Sequence, residues 1–176
     1  MKCLSNESDW YSQEAGEGKN IAKFKFYDYA PLVFQRIRQK AGIVEEEYLK
    51  SLGPEQIINS FWTQNYQNLY ELCSSGQSGS LFYYTKDKKY MMKTIPFREF
   101  KKMRTVLRDY FNHIKKHSTS LIIRFYGLHE VKWTDLKGKV QVRYLCIMGN
   151  IFQNFQVGLM YDLKGSTAGR TYLKPD

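Results

Sequence analysis

Residues 74–94, SSGQSGSLFYYTKDKKYMMKT, constrain the fold more than any other stretch of the chain. Gly76 and Gly79 stand three apart among Ser74, Ser75, Ser78 and Ser80. Without Cβ atoms at those two points, the run can turn tightly and set bare backbone N–H groups against an anion. Residues 81–86 then read as an aromatic-rich strand, Asp87 and Lys88 as a polar turn, and residues 90–95 as a second strand, which together spell a β-hairpin. A period of two places Met91, Lys93 and Ile95 on one face. A cation on an otherwise apolar face, under a glycine-rich loop, suits a phosphate clamp. It also suits a solvated edge charge that discourages strand association, and spacing alone leaves both readings open.

Length and composition narrow the rest. At 176 residues, with 43% hydrophobic and 16% aromatic residues, the chain is expected to fold as one domain with a sizeable core. It holds no apolar run long enough for a bilayer span, and its N-terminal residues carry no signal-peptide pattern. Cys3, Cys73 and Cys146 are odd in number and widely spaced, so neither a disulfide framework nor a zinc site is expected, and no metal-binding residue is assigned. This usage suits a reducing, cytoplasmic location. His113, His117 and His129 lack neighbours that would complete a ligand set and read as surface or packing histidines.

The formal charge of +10 is concentrated: residues 86–116 hold eleven Lys or Arg against three acids. Such a field attracts phosphate-bearing partners, whether nucleic acid, anionic membrane or phosphoinositide, although a solvated helix face carries the same pattern.

In chain order, residues 1–22 read as a disordered leader whose possible anchors are Trp10 and Tyr11. A short strand is expected at residues 24–26, then a helix opened by Pro31, buried through Leu32, Val33, Phe34 and Ile37, and stopped near Gly42. Residues 44–52 predict a second helix ending at Gly53. Pro54 could open another helix, and residues 57–70, rich in Asn, Gln and aromatics, suit either a helix or a surface insertion, the latter over 57–67. Phe97, Phe100, Met103, Leu107, Tyr110, Phe111 and Ile114 recur at three- and four-residue spacing and mark the strongest helix, with Glu99 in its first turn. That carboxylate suits pairing with Lys93, and it equally suits a helix N-terminus. Strands are expected over 121–132, 139–148 and 155–163. The order predicts an α+β fold, an antiparallel sheet with packed helices.

Several collinear pieces resemble the phosphatidylinositol phosphate kinase family, closest to the type that makes the 4,5-bisphosphate. They are Tyr29-Ala30-Pro31 with Phe34, Ser75-Gly76-Gln77-Ser78-Gly79-Ser80, Met92-Lys93-Thr94, Arg124-Phe125-Tyr126-Gly127-Leu128-His129, Met148-Gly149-Asn150, and Tyr161-Asp162-Leu163-Lys164-Gly165-Ser166-Thr167. The resemblance implies that residues 23–176 form the N-terminal, ATP-binding lobe of such a kinase, acting on a phosphatidylinositol phosphate. By that likeness Gly76, Gln77, Ser78, Gly79 and Ser80 cover the ATP phosphates, and Lys93 contacts them as the catalytic lysine. Glu99 orients Lys93, while Met148, Gly149 and Asn150 meet adenine. Asp162, Lys164 and Arg170 match the segment near the lipid headgroup. The likeness also implies an anionic membrane partner at the cytosolic face. It implies Mg2+ beside ATP, its ligands expected in a C-terminal lobe that would begin where this chain ends, so that this chain would be inactive alone.

Asp162-Leu163-Lys164 is not a protein-kinase catalytic loop, because Thr167 stands where that loop needs Asn. A non-catalytic module docking on anionic membrane or phosphoinositide is the alternative reading. Basic charge with aromatics also marks nucleic-acid binders. No such motif occurs here and the aromatics fall at core-like spacing, so no nucleic-acid partner is expected.

Overall fold

The computed structural model describes residues 10–11, 24–53, 56–57, 69–72, 81–134, 137–152 and 158–159. The predicted hairpin is its centre. Strands β4 (Phe82–Thr85) and β5 (Tyr90–Ile95) pair antiparallel, with Phe82 opposite Lys93 and Tyr84 opposite Met91. Asp87 makes the turn: its carboxylate accepts hydrogen bonds from the Thr85 hydroxyl, the Lys89 N–H and the Ser51 hydroxyl. These bonds outweigh burial, which by itself would raise the group, and hold Asp87 below its ordinary carboxylate range.

Around the hairpin the other strands are β1 (Trp10–Tyr11), β2 (Phe24–Asp28), β3 (Leu69–Leu72), β6 (Phe125–Thr134) and β7 (Val140–Gly149). Among the described residues they form one sheet in the order β1-β2-β6-β7-β5-β4-β3, antiparallel at every step. With helices α1 (Pro31–Lys40), α2 (Glu45–Leu52) and α3 (Phe97–Lys116), this is the expected α+β arrangement. Trp10 and Tyr11 pair along the strand with Tyr27 and Phe26.

Helix α3 lies on the face of β5 and β7 that carries Lys93, Cys146 and Tyr144. Its Phe100 ring packs 4.4 Å from Tyr144 and 4.8 Å, edge-on, from Tyr29. Only Phe100 and Ile114 of its apolar stripe are fully buried, and Phe97 is 59% exposed at the helix entrance. The core joins Phe26, Phe34, Ile37, Met92, Phe100, Leu128, Leu145 and Ile147. His129 is a packing histidine, buried beside the Phe26 ring and 3.2 Å from Asp28.

Four expectations need correction. Leu32 is exposed, because the buried stripe of α1 is Phe34, Ile37 and Arg38, and Leu32 lies on the opposite side of the helix. Residues 121–124 are not strand: Arg124 bonds back to the carbonyls of Ile122 and Ser118, curling the chain before β6 begins. Ile57, the first residue of the stretch read as helix or surface insertion, is helical and fully buried, so the insertion reading fails there, and residues 69–72 form an outer strand. Of the strand expected over 155–163, only residues 158 and 159 are described, and neither is in a strand.

Candidate functional site

Lys93 sits in β5 with β4 on one side and β7 on the other, opposite Phe82 and Cys146. Its side chain is 24% exposed, and Nζ lies 3.5 Å from Glu99 Oε2 and 5.6 Å from the Phe82 ring centre. The five residues between Lys93 and Glu99 comprise the strand end, Pro96 as extended N-cap and the start of α3. That corner is what folds the carboxylate back over the strand. Seating Phe100 between Tyr29 and Tyr144 then fixes the first turn, and with it Glu99.

Behind that seat, the Tyr29 hydroxyl donates to Glu130 Oε2 at 2.7 Å, and Lys132 pairs with the other carboxylate oxygen. Burial, followed by the Glu130 carboxylate, pushes the Tyr29 phenol well above its usual range. Cys146 is buried directly across from Lys93, and burial pushes its thiol up to about 12. It lines the site as an inert apolar wall.

Residues 76–80 lie outside the described residues. The chain that follows them is anchored beside Lys93, because the Leu81 N–H donates to Thr94 Oγ1 at 2.8 Å and the Thr94 N–H donates to the Leu81 carbonyl at 2.9 Å.

Met148 lies opposite Met91 and Gly149 opposite Tyr90, so the end of β7 adjoins the Lys93 strand two residues from the lysine. The Gly149 N–H donates to the Arg124 carbonyl, and the Asn150 N–H to the Lys89 carbonyl. The Asn150 amide also donates to the Lys88 carbonyl at 2.7 Å and accepts from the Phe152 N–H at 3.0 Å. The N–H groups of 149, 150 and 152 are therefore engaged within the chain. Lys93, Glu99 and Met148–Asn150 gather around β5 and β7. Asp162, Lys164 and Arg170 lie outside the described residues.

Among the described residues no three His, Cys, Asp or Glu side chains cluster closely enough to hold a metal ion. Among the same residues no helix is long and apolar enough to cross a membrane.

Sequence reasoning gave no part to Arg38, and none to Tyr126 beyond its place in a motif; Arg38 donates to the Tyr126 carbonyl. An arginine four residues after Phe34, on the buried stripe of an amphipathic helix, was the available signal, since arginine is rarely buried without dedicated partners.

Comparison with known proteins returns one consistent answer. The family model described as Phosphatidylinositol-4-phosphate 5-Kinase matches residues 63–176. The chain is 41% identical over 151 residues to a phosphatidylinositol 4-phosphate 5-kinase of Plasmodium falciparum, covering 85% of this chain and 9% of that protein. It is 39% identical over 158 residues to phosphatidylinositol 4-phosphate 5-kinase 4 of Arabidopsis thaliana, covering 88% of this chain and 18% of that one. A Schizosaccharomyces pombe phosphatidylinositol 4-phosphate 5-kinase is 39% identical over 148 residues, 84% of this chain and 18% of its own length. The chain thus spans between 9% and 18% of the length of these curated relatives.

Proposed function

The chain belongs to the phosphatidylinositol-4-phosphate 5-kinase family, and from that premise we propose that it forms the ATP-binding lobe of a lipid kinase. The enzyme would transfer the ATP γ-phosphoryl group to an inositol hydroxyl of a phosphatidylinositol phosphate, most simply the 4-phosphate to give the 4,5-bisphosphate. The observation that carries this reading is the Lys93–Glu99 pair, held between a sheet strand and the first turn of α3.

Each residue then has a part. Lys93 contacts the phosphates as the catalytic lysine, and Glu99 holds its ammonium in place between turnovers. Gly76, Gln77, Ser78, Gly79 and Ser80 close over the phosphates with their backbone N–H groups. Adenine lies against Met148, Gly149 and Asn150. Because the N–H groups of Gly149 and Asn150 are already engaged, the base would be met there through carbonyl oxygens, which suit its amino group. Asp162, Lys164 and Arg170 face the lipid headgroup. Mg2+ would neutralise phosphate charge, with ligands supplied outside the described residues, and no step here depends on it.

The exposed bases Lys101, Lys102, Arg104, Arg108, Lys115 and Lys116 of α3 support docking at the cytosolic face of an anionic membrane, each contributing about 1 kcal/mol near such a surface. The same charge favours a second reading, a membrane-binding module without turnover. Lys93→Ala in the complete kinase separates the two. Lipid phosphorylation is expected to vanish while sedimentation with anionic vesicles persists, and an unchanged rate would overturn the role of Lys93.

A further inference from the structure

Arg38 is 6% exposed and lies on the buried stripe of α1. Its Nε and NH2 both bond to the Glu45 carboxylate, and its guanidinium lies 4.3 Å from the Tyr48 ring centre. The remaining nitrogen, NH1, donates to the Tyr126 carbonyl at 2.6 Å, across 88 residues of sequence. The Tyr48 hydroxyl reaches the same carbonyl at 3.4 Å. Tyr126 is where the β6–β7 ladder slips: Phe125 faces Met148, Gly127 faces Ile147, and Tyr126 is the extra residue between them. A bulge frees a carbonyl from the ladder, and Arg38 takes it up.

Tyr126 in turn touches the end of β7. Its ring lies so close under Gly149 that a Cβ there would stand 3.1 Å from Cε2 and 3.3 Å from the hydroxyl oxygen. The Tyr90 ring, from the residue opposite Gly149, meets Tyr126 edge-on at 5.9 Å. Gly149 is therefore held from both sides of the bulge, by the Tyr126 ring and by its own N–H bond to the Arg124 carbonyl.

We propose that Arg38 is a positioning residue for the adenine end of the site, fixing Gly149 through the Tyr126 carbonyl and ring. The inference rests on the reading that adenine lies against residues 148–150. A guanidinium suits the task because its flat fork can serve a carboxylate and a carbonyl at once. A lysine ammonium keeps the charge and loses that three-way geometry.

The test compares Arg38→Gln, Arg38→Lys and Tyr126→Leu with the unaltered 176-residue chain. Amide hydrogen exchange and binding of ATP and of inorganic triphosphate are measured on each. In Arg38→Gln, exchange at the Gly149 and Asn150 amides is expected to quicken at least about tenfold more than at the amides of α3, which report the loss of overall stability. ATP affinity should fall about tenfold while triphosphate affinity holds, and Arg38→Lys should fall between. Exchange that quickens by the same factor at Gly149 and in α3, or stays unchanged at Gly149, overturns the proposal, as does equal loss of ATP and triphosphate binding. If Arg38→Gln does not fold, Tyr126→Leu must give the same local exchange pattern. If the unaltered chain binds triphosphate no more weakly than ATP, the adenine reading fails, and the exchange data still decide whether Arg38 holds Gly149.

Discussion

Two ion pairs in this lobe differ in almost every respect. Arg38–Glu45 is nearly closed to water on the arginine side, at 7% side-chain exposure, and uses a forked pair of bonds. Lys93–Glu99 is a single contact at 3.5 Å between side chains 24% and 49% exposed. The first engages all three of its guanidinium nitrogens within the chain, two on a carboxylate and one on backbone. The second engages its ammonium, a group with three donors, in one long contact with a carboxylate among the described residues. One pair is tied to backbone, and the other joins two side chains alone.

That contrast can be broken by substitution. Arg38→Ala should cost about 2 kcal/mol of stability, since it removes charge-assisted hydrogen bonds from a partly exposed carboxylate and a buried carbonyl; urea unfolding measures it, and a loss under about 1 kcal/mol would erase the distinction. Tyr29→Phe removes the hydroxyl from the buried Glu130 and should cost about 1 to 2 kcal/mol, loosening the seat of Phe100 and therefore the Lys93–Glu99 contact. Lys93→Met should change stability by no more than about 0.5 kcal/mol, as expected of a partly exposed pair.

Two smaller effects sharpen the picture around the hairpin. The Asp87 carboxyl sits below its unfolded value, so its turn contributes stability above the ordinary carboxylate range and loses it as pH falls through the folded value. Asp87→Asn should therefore flatten the acid limb of a stability–pH profile, and a profile identical to the unaltered chain would contradict the turn's role. Cys146, with its thiol pushed up to about 12, should resist iodoacetamide at pH near 8 in the folded chain and react on unfolding. Peptide mapping shows which occurs.

What could be read from the residues alone was what depends on near neighbours. The hairpin and α3 follow from local periodicity, and so does the Lys93–Glu99 pairing, which a strand end, one proline and one helical turn bring together. The support of the β7 end could not be read that way. It depends on a bulge that shifts register by one residue and on an arginine 88 positions away in sequence. Leu32 misled for a related reason: hydrophobicity suggested burial, but the angular position of Phe34, Ile37 and Arg38 decides which side of α1 faces the sheet. At the end of β7, nothing in the residues showed that the N–H groups of Gly149 and Asn150 bond to the carbonyls of Arg124 and Lys89.

The most direct test of the account is to melt the unaltered chain and Lys93→Met with and without saturating ATP. A ligand that binds only the folded state stabilises it by RT ln(1 + L/Kd), where L is its free concentration, and so raises the melting temperature. The account predicts that both chains melt together without ATP, and that ATP raises the midpoint of the unaltered chain alone. Equal stabilisation of both by ATP would contradict it, because Lys93 would then not be the group that meets the phosphates.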